Sequence, residues 1–194
     1  MANGKTNLGL VDYCEKQLGK PYWYGTFGQK ASRQLYNNKK AQYPSYYTAK
    51  DFDSQIARGE KVHDCIGLVK GYMWCKSATD EKPIYKSNGF PDCSADGQFN
   101  RSKRKGYSMS TLPPIAGVLV FMKGHVGISL GNGWVIEARG HNYGVVKTKL
   151  TSRPWKRWAF VDEIEYVEPN TNGNTIQPQE PKPAVITSTG CHYN

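Results

Sequence analysis

From Cys65 onward the apolar residues Cys65, Leu68, Val69, Tyr72 and Met73 recur at i, i+3, i+4, i+7 and i+8. That spacing predicts an amphipathic helix with one face on a core. Asp64 stands before it as an N-cap, which places Cys65 in the first turn, where free backbone N–H groups and the positive end of the helix dipole favour thiolate over thiol. Gly67 and Gly71, one turn apart, let this helix approach a neighbour closely. An earlier helix is predicted from Asn7 to Leu18, stopped by Gly19 and Pro21. From Gly117 the pattern changes to short apolar runs: Gly117 to Met122, Val126 to Leu130, Trp134 to Ala138, Val145 to Leu150 and Trp158 to Val161 read as strands. Residues 26–60 read as a short helix or two plus loop, and residues 77–111, polar and rich in Gly and Ser, as mostly loop. After Glu168 the Asn-, Pro- and Gln-rich stretch has linker composition. The division is one domain over residues 1–168 and a linker with C-terminal tail over residues 169–194. The fold class is α+β, an antiparallel sheet packed against an N-terminal helix that carries the cysteine.

The register of one hairpin follows from the pattern. A two-residue Asn132-Gly133 turn would pair Ile128 with Glu137 and set a carboxylate among aliphatic residues. A three-residue Gly131-Asn132-Gly133 loop, with Gly133 left-handed, instead pairs Leu130 with Trp134, Ile128 with Ile136 and Val126 with Ala138, which makes one face wholly apolar. The other face then carries His125 and Glu137 as diagonal neighbours, about 7–8 Å apart at the backbone and within side-chain reach.

Chain length and charge narrow the classes. At 194 residues, with 38% hydrophobic and 12% aromatic positions, the chain can bury a core without covalent staples. No apolar run reaches membrane-spanning length and the start is polar, so no membrane span and no signal peptide are expected, and the chain reads as made in the cytoplasm. Five cysteines, Cys14, Cys65, Cys75, Cys93 and Cys191, at irregular spacing argue against a disulfide framework. Although His63, Cys65, Cys75, Cys93, His125 and His141 lie in one half of the chain, no Cys-x-x-Cys or His-x-x-x-His pair occurs, so no metal site is expected. A net charge of +10 is clustered at Lys39-Lys40, Arg101 to Lys105, Lys147 to Lys149 and Arg153 to Arg157. Such a field attracts polyanions, wall polymers as much as nucleic acids, or simply keeps a surface solvated.

The residues that carry chemistry are Cys65 as nucleophile and His125 as base. Glu137 accepts the second imidazole N–H, with His141 as its rival for that role. Tyr22 is either a core or a groove residue.

These positions resemble a known pattern. Pro21-Tyr22-Trp23-Tyr24-Gly25-Thr26, Asp64-Cys65-Ile66-Gly67-Leu68, the run Gly124-His125-Val126-Gly127-Ile128-Ser129-Leu130-Gly131-Asn132-Gly133, and Glu137 twelve positions after the histidine are similar to the blocks of the NlpC-type family of papain-like cysteine peptidases that cut bacterial cell-wall peptides. The resemblance spans about residues 8 to 168. It departs in three places: about forty residues separate Gly25 from Cys65, which implies an insertion beside the groove; Ile66 replaces a serine; and Glu137 stands where His, Asn or Gln is commoner. The resemblance implies a peptidoglycan hydrolase without cofactor or metal, favouring the D-γ-glutamyl to diamino-acid bond, with the muramoyl to L-alanine amide as the alternative. It implies Tyr22, Asp64 and Ile66 as substrate contacts, peptidoglycan and anionic wall polymers as partners, no specific nucleic acid, and action on the wall after release by lysis, as in a phage endolysin. Rival readings are acyl transfer by the same dyad and a non-catalytic basic domain that binds wall or nucleic acid.

Overall fold

The computed structural model describes residues 4–76 and 82–168, so the expected linker and tail lie outside the described residues. Helix α1 (Asn7–Lys16) starts where Thr6 Oγ1 accepts from Gly9 N–H and ends before the left-handed Gly19. Strand β1 (Phe27–Lys30) pairs antiparallel with β2 (Lys61–His63). Between them lie α2 (Arg33–Gln42) and α3 (Phe52–Arg58), the helices expected of the insertion. The strand pair itself was not expected, because three- and four-residue strands are too short to show a period. The central helix α4 (Gly67–Trp74) follows, then α5 (Ala95–Arg101), which forms inside the stretch read as loop and is capped by Ser94.

The six-stranded sheet uses β3 (Lys105–Gly106), β4 (Leu119–Met122), β5 (His125–Ser129), β6 (Trp134–Ala138), β7 (Val145–Lys149) and β8 (Arg157–Ala159) in the order β3-β8-β4-β5-β6-β7, antiparallel throughout. The fold is therefore α+β. The β5–β6 hairpin takes the three-residue loop: Ile128 faces Ile136, Leu130 N–H donates to Trp134 O, and Gly133 has φ +85°.

Helix α4 differs from its expectation in two ways. It begins at Gly67, so Cys65 and Ile66 form the turn before it; the Asp64 carboxylate still caps it by accepting from Gly67 N–H at 2.6 Å. Every one of its residues is buried, including Lys70, so the helix is central rather than amphipathic. It packs with α1 and the sheet in the main core through Leu10, Leu68, Val69, Met73, Phe121, Val126 and Ile128. Gly67 and Gly71 permit the close approach to β1 and the residue before it, because a Cβ on Gly67 would run into the Thr26 carbonyl oxygen and one on Gly71 would stand 2.9 Å from the Phe27 carbonyl oxygen. At the other end of α4, the buried Lys5 ammonium donates to the Tyr72 and Cys75 carbonyls at 2.8 Å each, placing a cation on the negative end of the helix. A second aromatic core of Trp23, Tyr47, Phe52 and Val62 ties the insertion down, and a third cluster of Val120, Val135 and Trp155 covers part of the sheet.

Candidate active site

Asp64 organises the approach to the thiol. Its two carboxylate oxygens accept from Gly67 N–H at 2.6 Å and Gly25 N–H at 2.9 Å, so one side chain joins the start of α4 to the turn after Tyr22-Trp23-Tyr24. Burial raises its pKa, opposed by Lys70, the two N–H donors and Lys39. Cys65 follows in the turn, 8% exposed. Its Sγ lies 4.0 Å from the Gly124 carbonyl, immediately before His125, and the backbone N–H groups of Val126, Ile66 and Cys65 itself favour its anion. Burial and then the Asp64 charge outweigh those donors and push the thiol up to about 12. The start of a helix therefore does not hold a ready thiolate here, in contrast to the expectation from its position alone.

His125 opens β5. Its Nε2 lies 2.7 Å from Glu137 Oε2 on β6, the diagonal contact expected from the hairpin register. Glu137 is fully buried, and its other oxygen accepts from Thr148 Oγ1 at 2.9 Å. Arg153 Nε stands 3.2 Å from that oxygen as an ion pair without hydrogen-bond alignment. Burial would raise the Glu137 pKa, yet the hydrogen bonds from His125 and Thr148 and the His125 and Arg153 charges hold it below the usual carboxylate range. Trp155 stacks on the imidazole, its ring 5.8 Å away and tilted by 14°. Gly127 makes that possible, since a Cβ there would stand 2.9 Å from the indole.

His141, the rival orienter, is elsewhere: its Nε2 bonds Asp51 at 2.7 Å and its ring packs on Phe52. Tyr22 is half-buried against the main core and close enough to Cys65 and Asp64 for their charges to raise its pKa further after burial has done so. Ile66 is buried and lines a cleft of about 540 Å³ that reaches Cys65 and Gly124 and is walled by Tyr24, Tyr43 and Tyr85. Thr148, Arg153 and Trp155 were not anticipated. Extending the hairpin argument to β7 would have found Thr148, because Val135 pairs with Thr148 and Glu137 with Val146, which makes Thr148 the diagonal neighbour of Glu137. Among the described residues, no group of three or more His, Cys, Asp or Glu side chains is placed to hold a metal ion.

The arrangement is an α+β domain that brings a cysteine at a helix start and a carboxylate-bound histidine on a strand to the same end of the sheet. Residues 19–163, most of the chain, match the model of the NlpC/P60 family, and the chain belongs to that family. Similar solved structures include NlpC2 from Trichomonas vaginalis, 18% identical with a TM-score of 0.48, covering 81% of this chain and 47% of that one. The peptidoglycan hydrolase RipB from Mycobacterium tuberculosis is 19% identical with a TM-score of 0.46, covering 82% and 65%. The P60 domain of an antigen from M. avium subspecies paratuberculosis is 19% identical with a TM-score of 0.48, covering 82% and 96%. The chain spans about half the length of the Trichomonas protein. No curated protein sequence matches it. Among the described residues no helix is long and apolar enough to cross a membrane.

Proposed function

We propose that this protein is a cell-wall hydrolase that cuts an amide bond in the peptidoglycan stem through Cys65 and His125, with Glu137 orienting the imidazole. Family membership supports the coarse assignment. The observation that carries the mechanism is the 2.7 Å contact between His125 Nε2 and the buried Glu137 carboxylate, with the Cys65 sulfur 4.0 Å from the carbonyl of Gly124, the residue before His125, and near the N–H of Val126, the residue after it. With Nε2 committed to Glu137, Nδ1 is the nitrogen left to take the thiol proton. The Cys65 sulfur then attacks the amide carbonyl, the Cys65 backbone N–H contributes to stabilising the oxyanion, and His125 returns the proton to the leaving amine. Water, deprotonated by His125, hydrolyses the thioester. The favoured bond joins D-γ-glutamate to the diamino acid. Asp64 and Tyr22, beside the thiol, are the proposed substrate contacts. Ile66 offers no hydrogen bond to a free stem amine, so stems still attached to glycan are accepted. The net charge of +10 supports adsorption to anionic wall polymers.

Purified sacculi digested with wild type and Cys65→Ala, followed by mass spectrometry of the new amino ends, test the proposal. Wild type releases diamino-acid amino ends and Cys65→Ala releases none while keeping its melting temperature. New L-alanine amino ends would assign muramoyl-alanine amidase activity instead. Undiminished release by Cys65→Ala would remove the nucleophile, and no release by wild type would leave a wall-binding domain.

A further inference from the structure

The cleft beside Cys65 contains a cation that the proposed chemistry does not use. Helix α2 belongs to the insertion between β1 and β2; none of its residues is fully buried, and it is held by Leu35 and Tyr36, which pack on the second aromatic core. Its last turn nevertheless reaches the cleft: Lys39, Gln42 and Tyr43 form part of the wall that continues to Asp64 and Cys65. The placement is close-packed. A Cβ on Gly25, whose N–H is held by Asp64, would stand 2.7 Å from the Tyr43 ring and 3.5 Å from Lys39 Cδ, so the lysine stem lies over the turn that Asp64 fixes. The Lys39 ammonium is half-buried and faces the Tyr43 ring at 5.8 Å.

The other charged groups of the cleft are already engaged. Asp92 accepts from Lys70 at 2.5 Å and from the Tyr85 hydroxyl at 2.8 Å. Asp64 accepts from two backbone N–H groups. Lys39 donates to Gln42 Oε1 at 3.2 Å and makes no ion pair with a described residue. An ammonium has three donors, so Lys39 brings uncommitted donors and a partly desolvated positive charge to the wall. Burial lowers its pKa, the Asp64 and Asp92 charges raise it, and Lys70 lowers it again. A charge in that condition gains most from an anion delivered by the ligand, and it repels a ligand amine.

We propose that Lys39 binds a free carboxylate of the substrate in this cleft, so that the enzyme selects carboxylate-bearing stem peptides over their amidated forms. This rests on the hydrolase reading above and assigns to the inserted helix the choice between two chemical forms of one substrate. The stem offers two sources of that carboxylate, the α-carboxyl of the γ-linked glutamate and the free carboxyl of the diamino acid.

The test uses two pairs of soluble stem peptides, one pair differing only by amidation of the glutamate α-carboxyl, the other only by amidation of the diamino-acid carboxyl. Wild type favours the carboxylate form in one pair by about tenfold in kcat/KM, the size of a half-exposed charge-assisted hydrogen bond. Lys39→Gln brings that ratio toward one, and Lys39→Arg, which keeps the cation, retains most of it. Calorimetric binding of the same peptides to Cys65→Ala shows the same ratio in Kd without turnover. No carboxylate preference in either pair, or a preference that survives in Lys39→Gln, would overturn the inference. Preferential binding that disappears in Lys39→Gln, without cleavage by wild type, would support this site while overturning the hydrolase reading; cleavage without preference would do the reverse.

Discussion

Glu137→Gln isolates the electrostatic part of the proposed orienting contact. The amide keeps the size and one acceptor oxygen of the carboxylate, so it can still accept from His125 Nε2, now 2.7 Å away, and its nitrogen can donate to Thr148 Oγ1. What is lost is the anion, fully buried and facing both His125 and Arg153. A hydrogen bond to a charged group contributes about 1.5–3 kcal/mol and a neutral one about 0.5–1.5, so the imidazolium formed during attack loses about 1–1.5 kcal/mol, or about tenfold in kcat/KM. Stability falls as well, because Arg153 is left beside a dipole in place of a charge. The assay is release of amino ends from sacculi, compared with the melting curve of each variant. In wild type the Glu137 carboxyl is held below its ordinary range, so its anion persists as pH falls and no inflection from it interrupts activity between pH 7 and pH 5. Activity of Glu137→Gln within about twofold of wild type would refute the electrostatic role. Loss as complete as that of Cys65→Ala, with an unchanged melting curve, would refute orientation and give the carboxylate a part in bond-making.

The buried His63 makes the fold acid-sensitive. Its Nε2 faces the Tyr13 hydroxyl at 3.0 Å, its Nδ1 has no hydrogen-bond partner, and burial followed by the Lys61 and Lys20 charges lowers its pKa to about 3. The unfolded chain takes up this proton first, so stability is lost as pH falls from about 6.5 toward 3, by about 3 kcal/mol between pH 7 and pH 4. Denaturant unfolding at both pH values should show a flatter dependence for His63→Gln, and identical slopes would refute the assignment. Gly67→Ala should cost about 2–3 kcal/mol, since its methyl meets the Thr26 carbonyl; an unchanged melting temperature would refute the close approach of α4 to β1. Iodoacetamide alkylation of Cys65 should keep accelerating from pH 7 to pH 9, because burial pushes that thiol up to about 12, and a plateau reached below pH 7 would refute it.

The parts legible in the sequence were those with strong local rules. Strands β4 to β8 each begin within two residues of their expected starts, and the turn chemistry of Gly131-Asn132-Gly133 fixed the β5–β6 register closely enough to place Glu137 on His125. The start of α4 was misjudged by two residues because the Asp64 side chain caps a turn that includes Cys65 and Ile66 before regular helix begins. Burial around all of α4 was hidden by Lys70, whose charge is answered by Asp92, more than twenty residues away. The basic run from Arg153 to Arg157 read as surface charge, yet Arg153 faces Glu137 and Arg157 pairs with Asp96 at 2.5 Å. Such pairings are invisible without tertiary structure, since neither partner lies within a local period. Strands β1 and β2 were missed because their partners are separated by the whole insertion.

On the proposed reading, Asp64 is asked to do two things that conflict at Cys65. By holding Gly67 N–H and Gly25 N–H it fixes the start of α4 against the wall of the cleft, which sets the geometry for substrate. The same carboxylate stands beside the sulfur and, after burial, is the next cause that raises the thiol. Backbone donors from Val126, Ile66 and Cys65 offset only part of this. A site built in this way keeps its nucleophile protonated until a base is aligned to receive the proton. The alignment comes from the opposite side, where Glu137, kept ionised by His125, Thr148 and Arg153, holds the imidazole and Trp155 covers its face. Formation of the thiolate is therefore coupled to attack, when charge leaves the sulfur for the substrate oxygen and the repulsion from Asp64 is relieved. The Asp64 carboxylate that builds the cleft thus makes the anionic ground state costly, and the buried Glu137 lowers the cost of the imidazolium that must appear with it.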